Sequence, residues 1–465
     1  MRRFGKSRTL VPSFVLLAAT SLGACKSFAP VPLATPSDLD GVQTLAIGDV
    51  TVSVAILTDE QAQRHFGADL GGHGLQALWM SVRNESPHTL WFNPNKVDPD
   101  FYSAKEAALL VRREVPAGAF ERLSQHFRDE SIRLRMEPGR VSGGFVFLPR
   151  VEGGRYVDVR LEEDAFENTG RSLADGGEIE AVEGTQSERR FGFAVPLPDG
   201  DFDYERLDTS TTYGGRELPD LDTDGLRAAL ERLPCCATNA GGDRDGDPLN
   251  VVIVGEGVDV LNSLSRSGWS FTHRITARSV GRLIGAALGG TSYPVAPVSS
   301  LYVFGRRQDF ALQRARRSIA HRNHMRLWLA PFRHEGRQVW VGQISRDIGV
   351  KFTTRSPSLT THIIDPEVDL TREYLLHSLL AVGLVDRFGF VKGSAVAPRT
   401  QPAYNLTDDP YFSDGMRVVI ILSVDPVPYD RVRNLLWERV SSPTAEGQSE
   451  AADRNVRPIE PEGVR

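Results

Sequence analysis

Asn250-Val251-Val252-Ile253-Val254-Gly255 is an unbroken apolar, β-branched run, and residues 258–265 continue from it as a helix. A strand with no polar side is one covered on both faces. A strand that feeds a helix is the repeating unit of an α/β layer fold. Downstream, the pattern predicts a helix over 278–288 and a loop over 289–294. It then predicts strands at 301–304, 325–331 and 339–344, a helix over 366–382 and a last strand over 417–423. Upstream, 226–233 reads as a short helix with Asp224 as its N-cap and Pro234 just past its end. These elements define a C-terminal α/β layered domain over 216–440. Residues 441–465 are polar and poor in bulky side chains, so a disordered tail is expected there.

Before Tyr213-Gly214-Gly215, read as a hinge, the pattern changes. Short β-branched and aromatic runs at 50–57, 75–82, 89–92, 144–148, 156–161 and 191–195 are separated by Gly, Asn and Pro. Such runs predict an antiparallel β-sandwich-like domain over 40–209, with helical inserts near 59–66 and 117–127. The fold class is therefore mixed α+β. His65, His73, His88 and His126 are dispersed without metal-ligand spacing and read as surface or core histidines.

The chain has 465 residues, with Lys+Arg 54 against Asp+Glu 60 and a net charge of −6. That balance disfavours a dedicated nucleic-acid binder, which presents a basic face. At 40% hydrophobic and 25% charged, the composition is that of a globular protein. The 3 cysteines exclude a disulfide scaffold and a four-thiolate zinc site.

Arg2, Arg3, Lys6 and Arg8 form a positive leader before an apolar run over 10–24. The run is shorter than the roughly 20 residues that span a bilayer. It ends in Leu22-Gly23-Ala24-Cys25, which resembles a bacterial lipoprotein signal. The resemblance implies cleavage before Cys25 and lipidation of its sulfur, with a second acyl chain on the freed amine. Lys26 in the next position implies an outer-membrane destination. Pro30, Pro32 and Pro36 make 26–39 a semi-stiff tether. No later run reaches 18 apolar residues.

The second domain carries a more specific series. Gly246-Asp247-Pro248-Leu249-Asn250-Val251-Val252 is followed by Gly268-Trp269, Tyr293-Pro294 and Pro297-Val298-Ser299-Ser300-Leu301-Tyr302. Then come Gly305-Arg306-Arg307-Gln308-Asp309, His324-Met325-Arg326-Leu327-Trp328, Trp340-Val341-Gly342 and 361–369, Thr-His-Ile-Ile-Asp-Pro-Glu-Val-Asp. Over about 246–391 this resembles the LssY C-terminal domain family. Members are often joined to membrane-embedded lipid phosphatase modules, and their namesake implies a link to type I secretion; neither role is carried over here. The family often has paired histidines where this chain has Asn323-His324 and His362-Ile363. One histidine of each pair is absent, which disfavours a four-histidine metal centre.

Alternation along a strand puts His324, Arg326 and Trp328 on one face and Met325, Leu327 and Leu329 on the other. The polar face points to a cleft. Arg306, Arg307 and Asp309 follow a strand, as does Asp347, and strand ends are where layered sheets bind ligands. His362 is placed in a loop beside a helix start. His324, His362 and Asp347 are thus the candidate catalytic groups, and Arg306, Arg307, Asp309 and Arg326 the candidate ligand-binding groups, with no metal or cofactor assigned. Histidine titrates near neutrality, and arginine forks onto phosphate or carboxylate. The opposing reading makes Asp365-Pro366 a helix start, Asp369–Arg372 a helix-surface pair and Arg306–Asp309 a structural pair.

Asp220 to Gly225, with Glu231 at the twelfth position, satisfies an EF-hand loop pattern. Arg227 at the eighth position and Pro219 before the loop favour an acidic turn that caps a helix. Cys235-Cys236 can pair with each other or with another chain, remain as buried thiols or act as a reactive pair. The function expected is a cell-envelope lipoprotein that binds or scaffolds an anionic ligand, a lipid headgroup or a partner protein. The competing expectation is hydrolysis of an ester or phosphoester by a His/Asp/Arg site.

Overall fold

The computed structural model describes residues 28–33, 39–151, 155–163, 188–195, 209–272, 298–315, 322–352, 360–393 and 396–438. The leader with Cys25, the 278–288 helix, the 289–294 loop and the 441–465 tail lie outside the described residues. The chain is a mixed α+β protein with several sheets.

In the first half, two antiparallel four-stranded sheets form. One takes the order Gln43–Ile47, Val50–Ile56, Leu75–Asn84, Arg140–Pro149. The other takes Arg135–Met136, Leu90–Phe92, Arg155–Glu163, Glu188–Val195. Alternation explains their packing. Val50, Val52, Val54, Met80 and Val82 of the first sheet share one core with Leu90, Phe92, Val157, Val159 and Phe193 of the second. The opposite face of the first sheet, with Ala55, Ala77, Phe145 and Phe147, is covered by helices Asp59–Phe66, Ala104–Leu110 and Phe120–Glu130. The segment read as a tether is partly docked here. The Val31 N–H donates to Arg64 O at 2.8 Å and Leu33 N–H to His65 Nδ1 at 3.1 Å. Phe28 and Leu33 are apolar enough to pack against that helical core.

The second half is built on a ten-stranded sheet. Its main order is Ser270–Phe271, Phe310–Ala315, Arg322–His334, Arg337–Phe352, Val251–Val254, Met416–Leu422, Val385–Lys392, Arg433–Leu435. Val251–Val254 runs parallel to Met416–Leu422, as a strand–helix–strand reading requires, but its other neighbour and most ladders of the sheet are antiparallel. Short hairpins account for this. Glu335 (φ 48°) with Gly336 (φ 72°) is a two-residue turn of this sheet, and Phe304 (φ 55°) with Gly305 (φ 72°) is one in a separate four-stranded sheet of Asp245–Pro248, Cys236–Thr238, Tyr302–Val303 and Arg306–Arg307; in each, both central residues are left-handed. Such turns match strand twist and force an antiparallel return.

The sheet is layered on both faces. Val251 and Ile253 join helices Gly257–Arg266 and Val368–Val382 through Val260, Leu264, Leu375 and Leu379. Val252 and Val254 join helix Thr223–Glu231 through Leu226 and Leu230. That helix is capped by Asp222, whose Oδ1 accepts Gly225 N–H at 2.7 Å, two residues before the expected cap. Asp220 accepts Gly336 N–H, so the EF-hand-like stretch serves as a cap and a strand tie. The Tyr213 hinge residue is anchored: its hydroxyl donates to Leu329 O at 2.5 Å.

The halves meet through a buried charge cluster. Asp158, wholly buried, accepts from Arg160 Nε (3.1 Å), Arg190 Nε (2.8 Å) and Asn262 Nδ2 (3.2 Å).

Candidate functional site

The face of the sheet that carries Trp328 and Val341 is apolar at its centre. Two residues further along each strand it turns polar. Arg326, His324 and Arg322 follow on one strand, and Gln343, Ser345 and Asp347 on its neighbour. All six are buried, so His324 and Arg326 do not open into the cleft that their alternation suggests.

Two placements differ from the sequence reading. Asp347 does not follow a strand; Arg337–Phe352 runs through it. His362 lies within strand Thr360–Ile364, which pairs antiparallel with that extension, not in a loop. Charged Asp347 and Lys351 interrupt the apolar pattern that would have revealed the extension. The helix after His362 starts at Val368, later than Asp365-Pro366 suggests, and Asp365 Oδ1 accepts Glu367 N–H at 3.1 Å.

Asp347 is the centre of the network. Its Oδ2 accepts Arg322 Nε at 2.9 Å and lies 3.3 Å from His362 Nδ1; its Oδ1 lies 3.0 Å from His324 Nδ1. Neither ring N–H points along its contact, so these are close polar contacts and not aligned hydrogen bonds. Arg322 also donates to Gln313 Oε1 at 2.5 Å and to His362 Nε2 at 2.7 Å. An arginine can only donate, so His362 Nε2 holds a lone pair and the ring is neutral. Burial pushes the His362 imidazole down to about 4, with Arg322 acting in the same sense and Asp347 opposing. Burial pushes the Asp347 carboxyl upward, but His324, His362 and Arg322 outweigh it and hold the group below the usual carboxylate range.

Gln343 Nε2 donates to Ser345 Oγ at 2.8 Å, and Ser345 Oγ lies 2.8 Å from His324 Nε2. Serine, imidazole and carboxylate are therefore connected in the order that nucleophilic hydrolysis uses. Ser345 is wholly buried, however. Arg326 donates to Gln343 Oε1 (2.9 Å) and Ser299 O (3.0 Å), and lies 3.9 Å from Asp247.

The remaining candidates are not brought to this network. Arg306 pairs with Asp309, donates to Leu329 O at 2.6 Å and stacks on Tyr213 at 5.3 Å. Asp309 Oδ2 accepts Leu329 N–H at 2.6 Å. This is the structural pair of the opposing reading. Arg307 is exposed in a two-residue strand that pairs with Tyr302–Val303.

The opposite face of the same strands holds a cavity of about 230 Å³. Its floor is a cross-strand row: Arg314 pairs with Asn323, and Asn323 with Arg346. Leu370, Thr371 and Tyr374 of helix Val368–Val382 form its other wall, with Arg322 and Asp365 at the margin. Arg314 lies over the Tyr374 ring at 5.3 Å. Among the described residues, neither Arg314 nor Arg346 forms an ion pair with a carboxylate. Three arginines thus line the cavity against one aspartate.

Sequence reasoning did not single out Arg314, Arg322, Ser345 or Arg346. The signal for two of them was two-residue spacing: Arg322 precedes His324, and Ser345 precedes Asp347, on the same face. Arg314 and Arg346 meet only through register.

Cys235 and Cys236 are joined by a disulfide, the first of the pairings their adjacency allows. No helix of the described residues is long and apolar enough to cross a membrane.

No curated protein and no solved structure matches the chain. The family model of the LssY C-terminus matches residues 227–416, wider at both ends than the motifs alone suggest. The match takes in helix Thr223–Glu231 from its middle, the polar network and the arginine-lined cavity, and it ends at Met416, where the strand beside Val251–Val254 begins. The second half of the chain therefore carries an LssY C-terminus domain.

Proposed function

We propose that this is a cell-envelope lipoprotein, anchored through Cys25 in the outer membrane and facing the periplasm, whose LssY C-terminus domain binds a phosphate- or carboxylate-bearing ligand. The observation that carries the binding role is the Arg314–Asn323–Arg346 row beneath a cavity of about 230 Å³. Guanidinium groups without carboxylate partners are the strongest side-chain receptors for such anions. The anchor rests on Leu22-Gly23-Ala24-Cys25 behind a basic, apolar leader. The first half is proposed to be a β-sandwich that spaces the binding domain from the bilayer, supported by the single core that its two sheets share. Calorimetric titration with inorganic phosphate and with phosphatidic acid vesicles tests the binding role and separates a free anion from a headgroup. Binding of either that drops at least about tenfold in the double variant Arg314→Gln/Arg346→Gln supports it. No binding, or an unchanged affinity in the variant, removes it.

A second reading, ester or phosphoester hydrolysis, is favoured by the 2.8 Å contact of Ser345 Oγ with His324 Nε2 beside Asp347. Covalent capture of a fluorophosphonate by the wild type but not by Ser345→Ala supports it; no labelling removes it. The complete burial of Ser345 makes it the weaker reading.

A further inference from the structure

We propose that His65, His126 and Glu130 form a binding site for a divalent transition metal such as Zn²⁺ in the first half of the chain. One ligand atom from each residue lies within 4.8 Å of the other two. His65 Nε2 and Glu130 Oε2 are 3.0 Å apart, close to the edge of a tetrahedral zinc site with bonds of about 2.0–2.2 Å. Two imidazoles and a carboxylate are the donor set that such ions take, with a position left for water.

The placement follows from local structure. Thr58 and Gln61 form a capping box that fixes helix Asp59–Phe66, which delivers His65 from its last turn. His126 and Glu130 stand one turn apart on helix Phe120–Glu130 and therefore share a face. Phe66, Phe127 and Phe145 pack beneath and hold the two helices in place. His126 Nε2–H donates to the His65 carbonyl at 2.7 Å, which leaves Nδ1 as its free lone pair. A ring whose second nitrogen donates to a backbone carbonyl is the usual support of a metal-bound histidine. Sequence spacing could not show the site, because His65 comes from a different helix.

His65 Nδ1 accepts the Leu33 N–H at 3.1 Å, so Nε2 carries the proton and faces Glu130. Metal bound at Nε2 requires the proton to sit on Nδ1, where it would oppose the Leu33 N–H. Metal binding must therefore loosen the docked segment around Leu33, which lies only eight positions after Cys25.

Zn²⁺ is titrated calorimetrically into the metal-free full chain carrying Cys25→Ala, with the Cys235–Cys236 bond intact, so that no thiolate competes. A single equivalent is expected, weakened at least about tenfold by Glu130→Gln and by His126→Ala. Co²⁺ is expected to give a visible ligand-field spectrum that His126→Ala abolishes. Glu130 is partly exposed, so Glu130→Gln preserves the fold where a core histidine variant fails. Chymotryptic cleavage after Phe28 and Leu33 is expected to speed up when Zn²⁺ is bound. Absence of a stoichiometric event, or affinity unchanged in Glu130→Gln, overturns the site. Metal binding with unaltered cleavage overturns the assignment of Nε2 as the ligand atom.

Discussion

Acidification should destabilise the second half of the chain through His362, and the structure sets the size of the effect. Arg322 donates to its Nε2 at 2.7 Å, so the folded protein holds the ring neutral. Its folded value of about 4 compares with about 6.5 in an unfolded chain. Between those two values the unfolded state takes up a proton that the folded state refuses. Stability therefore falls as pH falls from about 6.5 to about 4 and is fully present above that window. The difference of about 2.5 units corresponds to about 3 kcal/mol. Asp347 acts in the same direction at lower pH, because a carboxylate held below its usual range is protonated first in the unfolded chain. The assay is urea unfolding followed by tryptophan fluorescence at a series of pH values, since Trp328 and Trp340 are wholly buried on the two faces of the large sheet. His362→Gln keeps an acceptor for Arg322 and cannot titrate. The wild-type curve minus the variant curve isolates His362 from His65, whose burial also depresses its pKa. A difference that grows by about 3 kcal/mol across the window fits the reasoning; equal slopes in the two proteins refute it.

Arg417 is fully buried, pairs with no carboxylate among the described residues, and donates to Leu249 O (2.8 Å), Leu230 O (2.5 Å) and Pro234 O (2.5 Å), closing the end of helix Thr223–Glu231. Arg417→Met is expected to cost at least about 3 kcal/mol in urea unfolding, because buried carbonyls lose their donor. A cost under about 1 kcal/mol would show that water replaces the guanidinium. Mass spectrometry should show the intact chain gaining two hydrogens on reduction and thiol alkylation at Cys235 and Cys236 only afterwards; alkylation without reductant would contradict the bond. Labelled palmitate should be incorporated into the wild type and lost, with membrane association, in Cys25→Ala; label retained in the variant would refute the anchor.

Much of the fold was legible where one face of an element is uniformly apolar. Val50 to Ile56 and Val251 to Val254 announce themselves because each apolar side chain reaches a core. Strand Phe310–Ala315 was not, since Gln313 and Arg314 dilute its pattern; Gln313 meets Arg322 of the neighbouring strand, and Arg314 meets Tyr374 of the covering helix. Of the candidate site, His324, Asp347 and Arg326 were readable as polar residues on strands, and His362 as a motif residue. Their common centre was not, because it depends on Arg322 bridging Asp347 and His362, residues 25 and 40 positions away. Arg306 and Asp309 were chemically suggestive, but a three-residue spacing within a hairpin region let them satisfy each other.

The binding role of the arginine row is tested most directly by a crystal structure of the protein soaked in selenate, an anomalously scattering mimic of a phosphate group. The account predicts an anomalous peak between the Arg314 and Arg346 guanidiniums above Asn323, which disappears in Arg314→Gln/Arg346→Gln. A cavity without the peak, or a guanidinium pair turned away to other partners, would contradict it.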